Sequence, residues 1–210
     1  MDFCPRPKCF PLFSSALYLV FAAMVALVTT FPAHAQQSGV SDKALPEVRV
    51  STTEGAFNIR LRPDFAPKTV ANFLQYVDDG FYDGTLFHRV IPGFMVQAGG
   101  FDQDMNRKDT RDPVENESRQ TAKNLRGTIA MARTANPDSA TAQFFINLVD
   151  NPHLDATRAR PGYTVFGSVT EGMGVVDAIG KVSTTRRNGM GDVPVEPVVI
   201  ESVRRIDNGQ

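Results

Sequence analysis

Hydrophobic residues change their spacing along this chain in a way that marks out a series of short elements. Val48 and Val50 alternate with polar neighbours, Thr53-Glu54-Gly55 reads as a turn, and Phe57, Ile59 and Leu61 resume the alternation, which predicts a β-hairpin. Past Pro63 the period lengthens. Val70, Phe73, Leu74 and Val77 fall three and four residues apart, Pro67 suits a first helical turn and Gly80 a stop, so an amphipathic helix is predicted over Pro67–Asp78. Short apolar segments separated by Gly, Pro and Asn follow at Thr85–Val90, Phe94–Ala98, Thr128–Ala132, Gln143–Leu148, Val165–Val169 and Val198–Val203, making about eight strands with the hairpin. A shorter helix is predicted over Met173–Ile179, between Gly172 and Gly180. Many short strands with two helices indicate an antiparallel barrel or sandwich, and closure into a barrel leaves no unpaired edge. Long irregular connections remain at Phe101–Asn124 and Asp150–Tyr163; in a compact domain such lengths mark functional or disordered loops.

The N-terminal segment follows another pattern. Arg6 and Lys8 give a positive start, Leu12–Val28 is almost wholly apolar, and Phe31-Pro32-Ala33-His34-Ala35 places small residues where an A-x-A signal peptidase site needs them. The expectation is a secretory signal over residues 1–35, cleaved after Ala35. The other reading is an uncleaved anchor, because the apolar run approaches the roughly 18–20 residues that span a bilayer. Either way the domain that follows lies across a membrane. Residues 36–46 are mostly small and polar, a flexible lead-in, and the domain itself is placed at 47–206. Cys4 and Cys9, the only cysteines, fall inside the expected signal, which leaves the mature domain without a disulfide or a thiol nucleophile. Neither lies where a lipoprotein cysteine would.

At 210 residues, 42% of them hydrophobic, the chain has the size of one domain once that segment is removed. A net charge of −1 with scattered basic residues provides no phosphate-neutralising stripe, which argues against a nucleic-acid partner. Nothing suggests an obligate interface, and a monomer is expected. With His34 removed, only His88 and His153 remain, and no cluster has transition-metal spacing. There is no G-x-S-x-G elbow around Ser168, no third glycine after Gly172-Met173-Gly174, and no P-loop, so serine-hydrolase and nucleotide chemistry lack their motifs. Asn116-Glu117-Ser118 matches a glycosylation sequon, which matters only in a eukaryotic secretory pathway.

One segment, Phe87 to Gly100, places a cation, an amide and large apolar groups within a few residues. On a strand side chains alternate, so Arg89 should share a face with Phe87 and Ile91 while His88 looks the other way. The two can line one flat site only if the strand bends. On spacing alone Arg89 is either a functional cation or a surface arginine lying over apolar neighbours, and His88 is read as a hydrogen-bonded structural histidine. Met95 and Gln97 share a face, pairing an adaptable apolar contact with a two-sided hydrogen-bonding group; core edge and surface is an equal reading of that pair.

Phe87-His88-Arg89-Val90-Ile91-Pro92-Gly93-Phe94-Met95-Val96-Gln97 resembles the signature of the cyclophilin family. Gly127-Thr128-Ile129-Ala130-Met131-Ala132-Arg133, followed by Ala142-Gln143-Phe144-Phe145-Ile146-Asn147, resembles its second conserved block. The resemblance runs from about Glu47 to Val203, and the Asp109–Ser118 connection is similar to that of bacterial periplasmic members. It implies a mainly β fold, an eight-stranded antiparallel closed barrel capped by two α-helices, with the site on the barrel's outer face. It also implies peptidyl-prolyl cis-trans isomerase activity, no cofactor and no metal. The implied partners are proline-containing polypeptides, here unfolded exported proteins in the periplasm of a Gram-negative bacterium. Carried over residue by residue, the resemblance makes Arg89 the catalytic cation and Gln97 a polar partner of the substrate backbone. Phe94, Met95, Phe145 and Leu154 become the pocket for the proline ring, and Ala132, Arg133 and Gln143 the contacts for preceding residues. His153 and Tyr163 stand at further substrate positions, where many eukaryotic members carry tryptophan and histidine; His88 is structural beside the site. A module that captures proline-containing segments without turnover is the alternative, and the pairing of Arg89 with Gln97 favours the enzyme.

Overall fold

The computed structural model describes residues 45–206, so the expected signal at 1–35 and most of the lead-in at 36–46 lie outside the described residues. In chain order the elements are β1 (Glu47–Thr52), β2 (Gly55–Leu61), α1 (Pro67–Asp78), β3 (Thr85–Ile91), β4 (Met95–Ala98), β5 (Thr128–Met131), β6 (Phe144–Asn147), β7 (Val165–Glu171), α2 (Met173–Ile179), β8 (Thr184–Arg187), β9 (Met190–Pro194) and β10 (Val199–Ile206). Eight strands close into a barrel in the order β1-β10-β3-β4-β6-β5-β7-β2, with every pairing antiparallel. The expected barrel is therefore present.

Alternation along the strands fills the barrel. Val48, Val50, Phe57, Ile59, Val96, Ile129, Phe144 and Ile146 are all buried in one core. α1 adds Val70, Phe73, Leu74 and Val77, the four residues whose spacing predicted it, and α2 adds Val176 and Ile179. Phe73 anchors α1, its ring lying 5.2 Å from Tyr82, 5.2 Å from Phe166 and 5.8 Å from Phe144. Each such side chain withdrawn from water contributes about 1.5–3 kcal/mol before chain entropy is counted.

The loop after β4 is tied down rather than disordered. α1 has no side-chain cap of its own at Ala66. Glu117 supplies one from the loop, accepting from the Thr69 amide and hydroxyl at 2.7 Å each and from the Lys68 amide at 3.1 Å. A carboxylate there satisfies orphan N–H groups and meets the positive end of the helix. The neighbouring Asn116 accepts from the Ser118 amide at 3.0 Å and hydroxyl at 2.6 Å and donates to the Gly162 carbonyl at 3.1 Å. The sequon amide is thus a structural group.

β8 and β9 form a two-stranded hairpin outside the barrel that apolar alternation does not predict, because β8 buries no residue and β9 buries only the adjacent Val193 and Pro194. The local signal is Asn188-Gly189, whose φ angles of 51° and 80° give a two-residue turn joining Arg187 to Met190. Among the described residues no helix is long and apolar enough to cross a membrane.

Candidate active site

The register of four neighbouring strands builds the site. Arg89 on β3 lies opposite Gln97 on β4, Gln97 opposite Phe145 on β6, and Phe145 opposite Ala130 on β5. Residues directly opposite one another project from the same face of a sheet. Phe145 and Ala130 belong to a second apolar cluster with Met95 and Leu154, distinct from the core that holds Phe144 and Ile146, so this row looks outward.

The expected alternation on β3 does not hold. Phe87 pairs with Ala98 and Arg89 with Gln97, so β3 carries one residue more than β4 between these pairs, and that residue is His88. The bulge returns Phe87 and Val90 to the core while Arg89 is exposed. Arg89 shares a face with Ile91, which lies in the outer cluster, but not with Phe87. Bulges re-aim side chains in this way, and the bend brings His88 and Arg89 to the wall of one cavity.

Nine of the expected site residues line a single cleft of about 240 Å³. Arg89 and Gln97 give its polar wall, and Phe94, Met95, Phe145 and Leu154 its apolar walls. Ala132, Arg133 and Tyr163 complete the rim. Below the roughly 300–1,000 Å³ of drug-sized pockets, the cleft has room for one small ring. Tyr163 stands edge-on to Phe145 at 5.5 Å, and Arg133 lies 4.5 Å over the Tyr163 ring. Arg133 is a strap more than a free cation, since it donates to the carbonyl of Thr134 at 2.9 Å and to those of Pro161 and Gly162 at 3.3 Å.

Gln143 and His153 are not on the walls of this cleft. Gln143 lines an adjoining cavity with Ala132 and Arg133, and it accepts from the Gln97 amide at 2.9 Å, which orients that amide. A Cβ on Gly100 would collide with the Gln143 side chain, so glycine there makes room for it. His153 is exposed and stacks on Phe94 at 5.5 Å, supporting a wall from outside.

Behind the cleft lies a buried polar staple that the sequence reading missed. Asn151 donates to the Phe94 carbonyl at 3.1 Å and to Asn147 at 2.8 Å; Asn147 donates to Thr128 at 2.9 Å. Asn124 donates through its backbone to Asp155 at 2.7 Å. Two walls, Phe94 and Leu154, are thereby fixed to the barrel. The cluster of asparagines at 124, 147 and 151 is its only trace in the sequence.

His88, read from the sequence as a hydrogen-bonded structural histidine, is buried, and its Nδ1 has no hydrogen-bond partner among the described residues. Its ring packs 4.7 Å from that of Phe101. Burial pushes the imidazole down from 6.5 to about 4, against pulls from the Leu86 backbone and Gln143, with Arg89 adding to the lowering. As pH falls through 6.5 the unfolded chain gains a proton that the folded imidazole refuses. Stability from this group is therefore complete above pH 6.5 and is lost progressively down to about pH 4. Between pH 7.5 and 4.5 the loss is about 2–3 kcal/mol. Denaturant titration at both values should show that extra loss in the wild type and not in His88→Phe; equal losses would contradict the assignment.

A closed barrel with a small apolar cleft on its outer face, bordered by Arg89 and Gln97, is the arrangement that the cyclophilin resemblance implies. The model of the cyclophilin-type peptidyl-prolyl cis-trans isomerases matches residues 47–205. Peptidyl-prolyl cis-trans isomerase A of Dickeya dadantii is 46% identical over 183 residues, 87% of this chain and 96% of the relative. Peptidyl-prolyl cis-trans isomerase B of Escherichia coli is 52% identical over 159 residues, 74% and 97% of the two chains. A crystal structure of a Cryptosporidium parvum cyclophilin-type isomerase, determined in the presence of the dipeptide Ala-Pro, superposes with a TM-score of 0.65 at 24% identity, covering 77% of this chain and 99% of that one. This chain belongs to the cyclophilin-type peptidyl-prolyl cis-trans isomerase family. It is a peptidyl-prolyl cis-trans isomerase.

Proposed function

We propose that Arg89 drives the rotation and that the enzyme assists the folding of exported proteins. The observation that carries the first half is the outward row Arg89–Gln97–Phe145–Ala130, which sets one cation and one amide beside an apolar cleft. Rotation about a peptide bond breaks amide resonance, with a barrier near 18–20 kcal/mol, and an Xaa-Pro bond left alone takes tens to hundreds of seconds. No bond need break. Midway, the prolyl nitrogen loses conjugation and regains a basic lone pair, so a donor aimed at it stabilises the twisted state more than either planar one. A guanidinium suits this because it presents several donors in a rigid plane and keeps its charge.

Phe94, Met95, Phe145 and Leu154 hold the ring while Gln97, oriented by Gln143, holds the neighbouring backbone, so that the two sides of the bond turn against each other. Reaching a turnover of about 10³ s⁻¹ from a step of about 100 s requires roughly 7 kcal/mol off the barrier. One charged hydrogen bond contributes about 1.5–3. Orientation and exclusion of water from the cleft supply the remainder.

Two features favour work beyond the cytoplasmic membrane, in the periplasm. Residues 1–35 carry the three parts of a secretory signal, and both cysteines lie within them. N-terminal sequencing of the protein recovered by osmotic shock should begin at Gln36. Recovery only from the cytoplasm with Met1 or Asp2 at its start would contradict export.

A further inference from the structure

The hairpin of β8 and β9 packs beside β3 and reaches the site from the side opposite the prolyl cleft. A second cavity of about 400 Å³ lies there, between Met190, Gly191 and Asp192 of the hairpin and His88, Arg89 and Gln143. Arg89 and Gln97 border both spaces and together form the partition between them. Asp192 places Oδ2 3.6 Å from Nε of Arg89, the one ion pair Arg89 makes among the described residues.

How Asp192 comes to be there is unusual. β9 sets two residues, Gly191 and Asp192, against the single Arg186 of β8, a bulge, and the φ of Asp192 is 62°. That left-handed backbone suits glycine best and, after it, asparagine and aspartate. The side chains of Arg89 and Asp192 are each 46% exposed, and ion pairs at such exposure add little to stability. Stability therefore does not account for the carboxylate beside the catalytic cleft. Positioning does. An arginine side chain turns about several bonds, and a reacting group displaced by about 1 Å loses much of its effect.

We propose that Asp192 is a positioning residue for the isomerase reaction, holding Arg89 on its Nε side so that the terminal guanidinium nitrogens are left facing the prolyl cleft. The proposal rests on Arg89 being the reacting cation. Asp192 would not touch the substrate; at 3.6 Å it acts by drawing the Nε side of Arg89 electrostatically and so favouring one arrangement.

The test uses Asp192→Gly, which suits the backbone and removes the carboxylate, with Asp192→Asn beside it. Steady-state kinetics on an Ala-Pro peptide should show kcat lowered about tenfold in both, with KM within about twofold of wild type. The thermal midpoint should be unchanged in Asp192→Asn and unchanged or raised in Asp192→Gly. Added to Arg89→Ala, Asp192→Gly should cost nothing more. A kcat within twofold of wild type in both Asp192 variants, while Arg89→Ala is still impaired, would overturn the proposal. So would a loss from Asp192→Gly that persists in the Arg89→Ala background. Near-normal turnover in Arg89→Ala alone would instead remove the assignment of Arg89 on which this rests.

Discussion

Arg89→Ala is expected to lower kcat/KM on proline-containing peptides by about a hundredfold or more while leaving the barrel folded. Removing one preorganised donor from a developing charge typically costs between about a hundred- and a thousandfold, and Arg89 is the cation whose backbone register places it opposite Gln97 at the cleft. The side chain is half-exposed and its ion pair with Asp192 is loose at 3.6 Å, so stability should change by less than about 0.5 kcal/mol. Arg89→Lys should recover only part of the activity. A lysine restores the charge but not the planar fork. Peptide isomerisation kinetics and a denaturant titration of the same preparations check both halves. Equal activity in the lysine and wild-type enzymes would show that charge alone suffices.

The second large effect separates two adjacent phenylalanines. Phe144 faces the core, fully buried and edge-on to Tyr82 at 5.5 Å, whereas Phe145 faces the cleft. Phe144→Ala should cost about 3–5 kcal/mol of stability, the range for a large aromatic deleted from a packed interior. For a domain of this size that lowers the thermal midpoint by about 6–20 °C. Assayed well below that midpoint, Phe144→Ala should keep most of its kcat/KM. Phe145→Ala should do the reverse, losing at least about tenfold in kcat/KM because a wall against the proline ring is gone, with a smaller fall in the midpoint. Comparable losses of activity from the two folded variants would contradict their placement on opposite faces of β6.

Those two residues also show what could be read from the chain. Local periodicity between Pro67 and Gly80 defined α1, and the flanking Gly172 and Gly180 defined α2. The barrel strands were legible from periodicity as well. Their partners were not, and pairing decides the site: only with Arg89 opposite Gln97 and Gln97 opposite Phe145 does a row exist. The bulge at His88 is invisible to alternation, since it depends on β4 having one residue fewer, and it reversed the expected relation of Arg89 to Phe87. The resemblance to the cyclophilin signature supplied the residue set that spacing left open, and the structure gathers nine of its members at the cleft. It did not reveal Asp192, because β8 buries no residue and β9 buries only Val193 and Pro194 at its end, too little to give a period.

The most direct measurement is exchange spectroscopy on an Ala-Pro peptide, with wild type and Arg89→Ala compared at the same substoichiometric concentration. Wild type should speed cis–trans exchange far beyond the spontaneous rate, and Arg89→Ala should still shift the peptide resonances while exchange stays near that rate. Fast exchange in the variant would mean that the twisted imide is stabilised by the cleft alone.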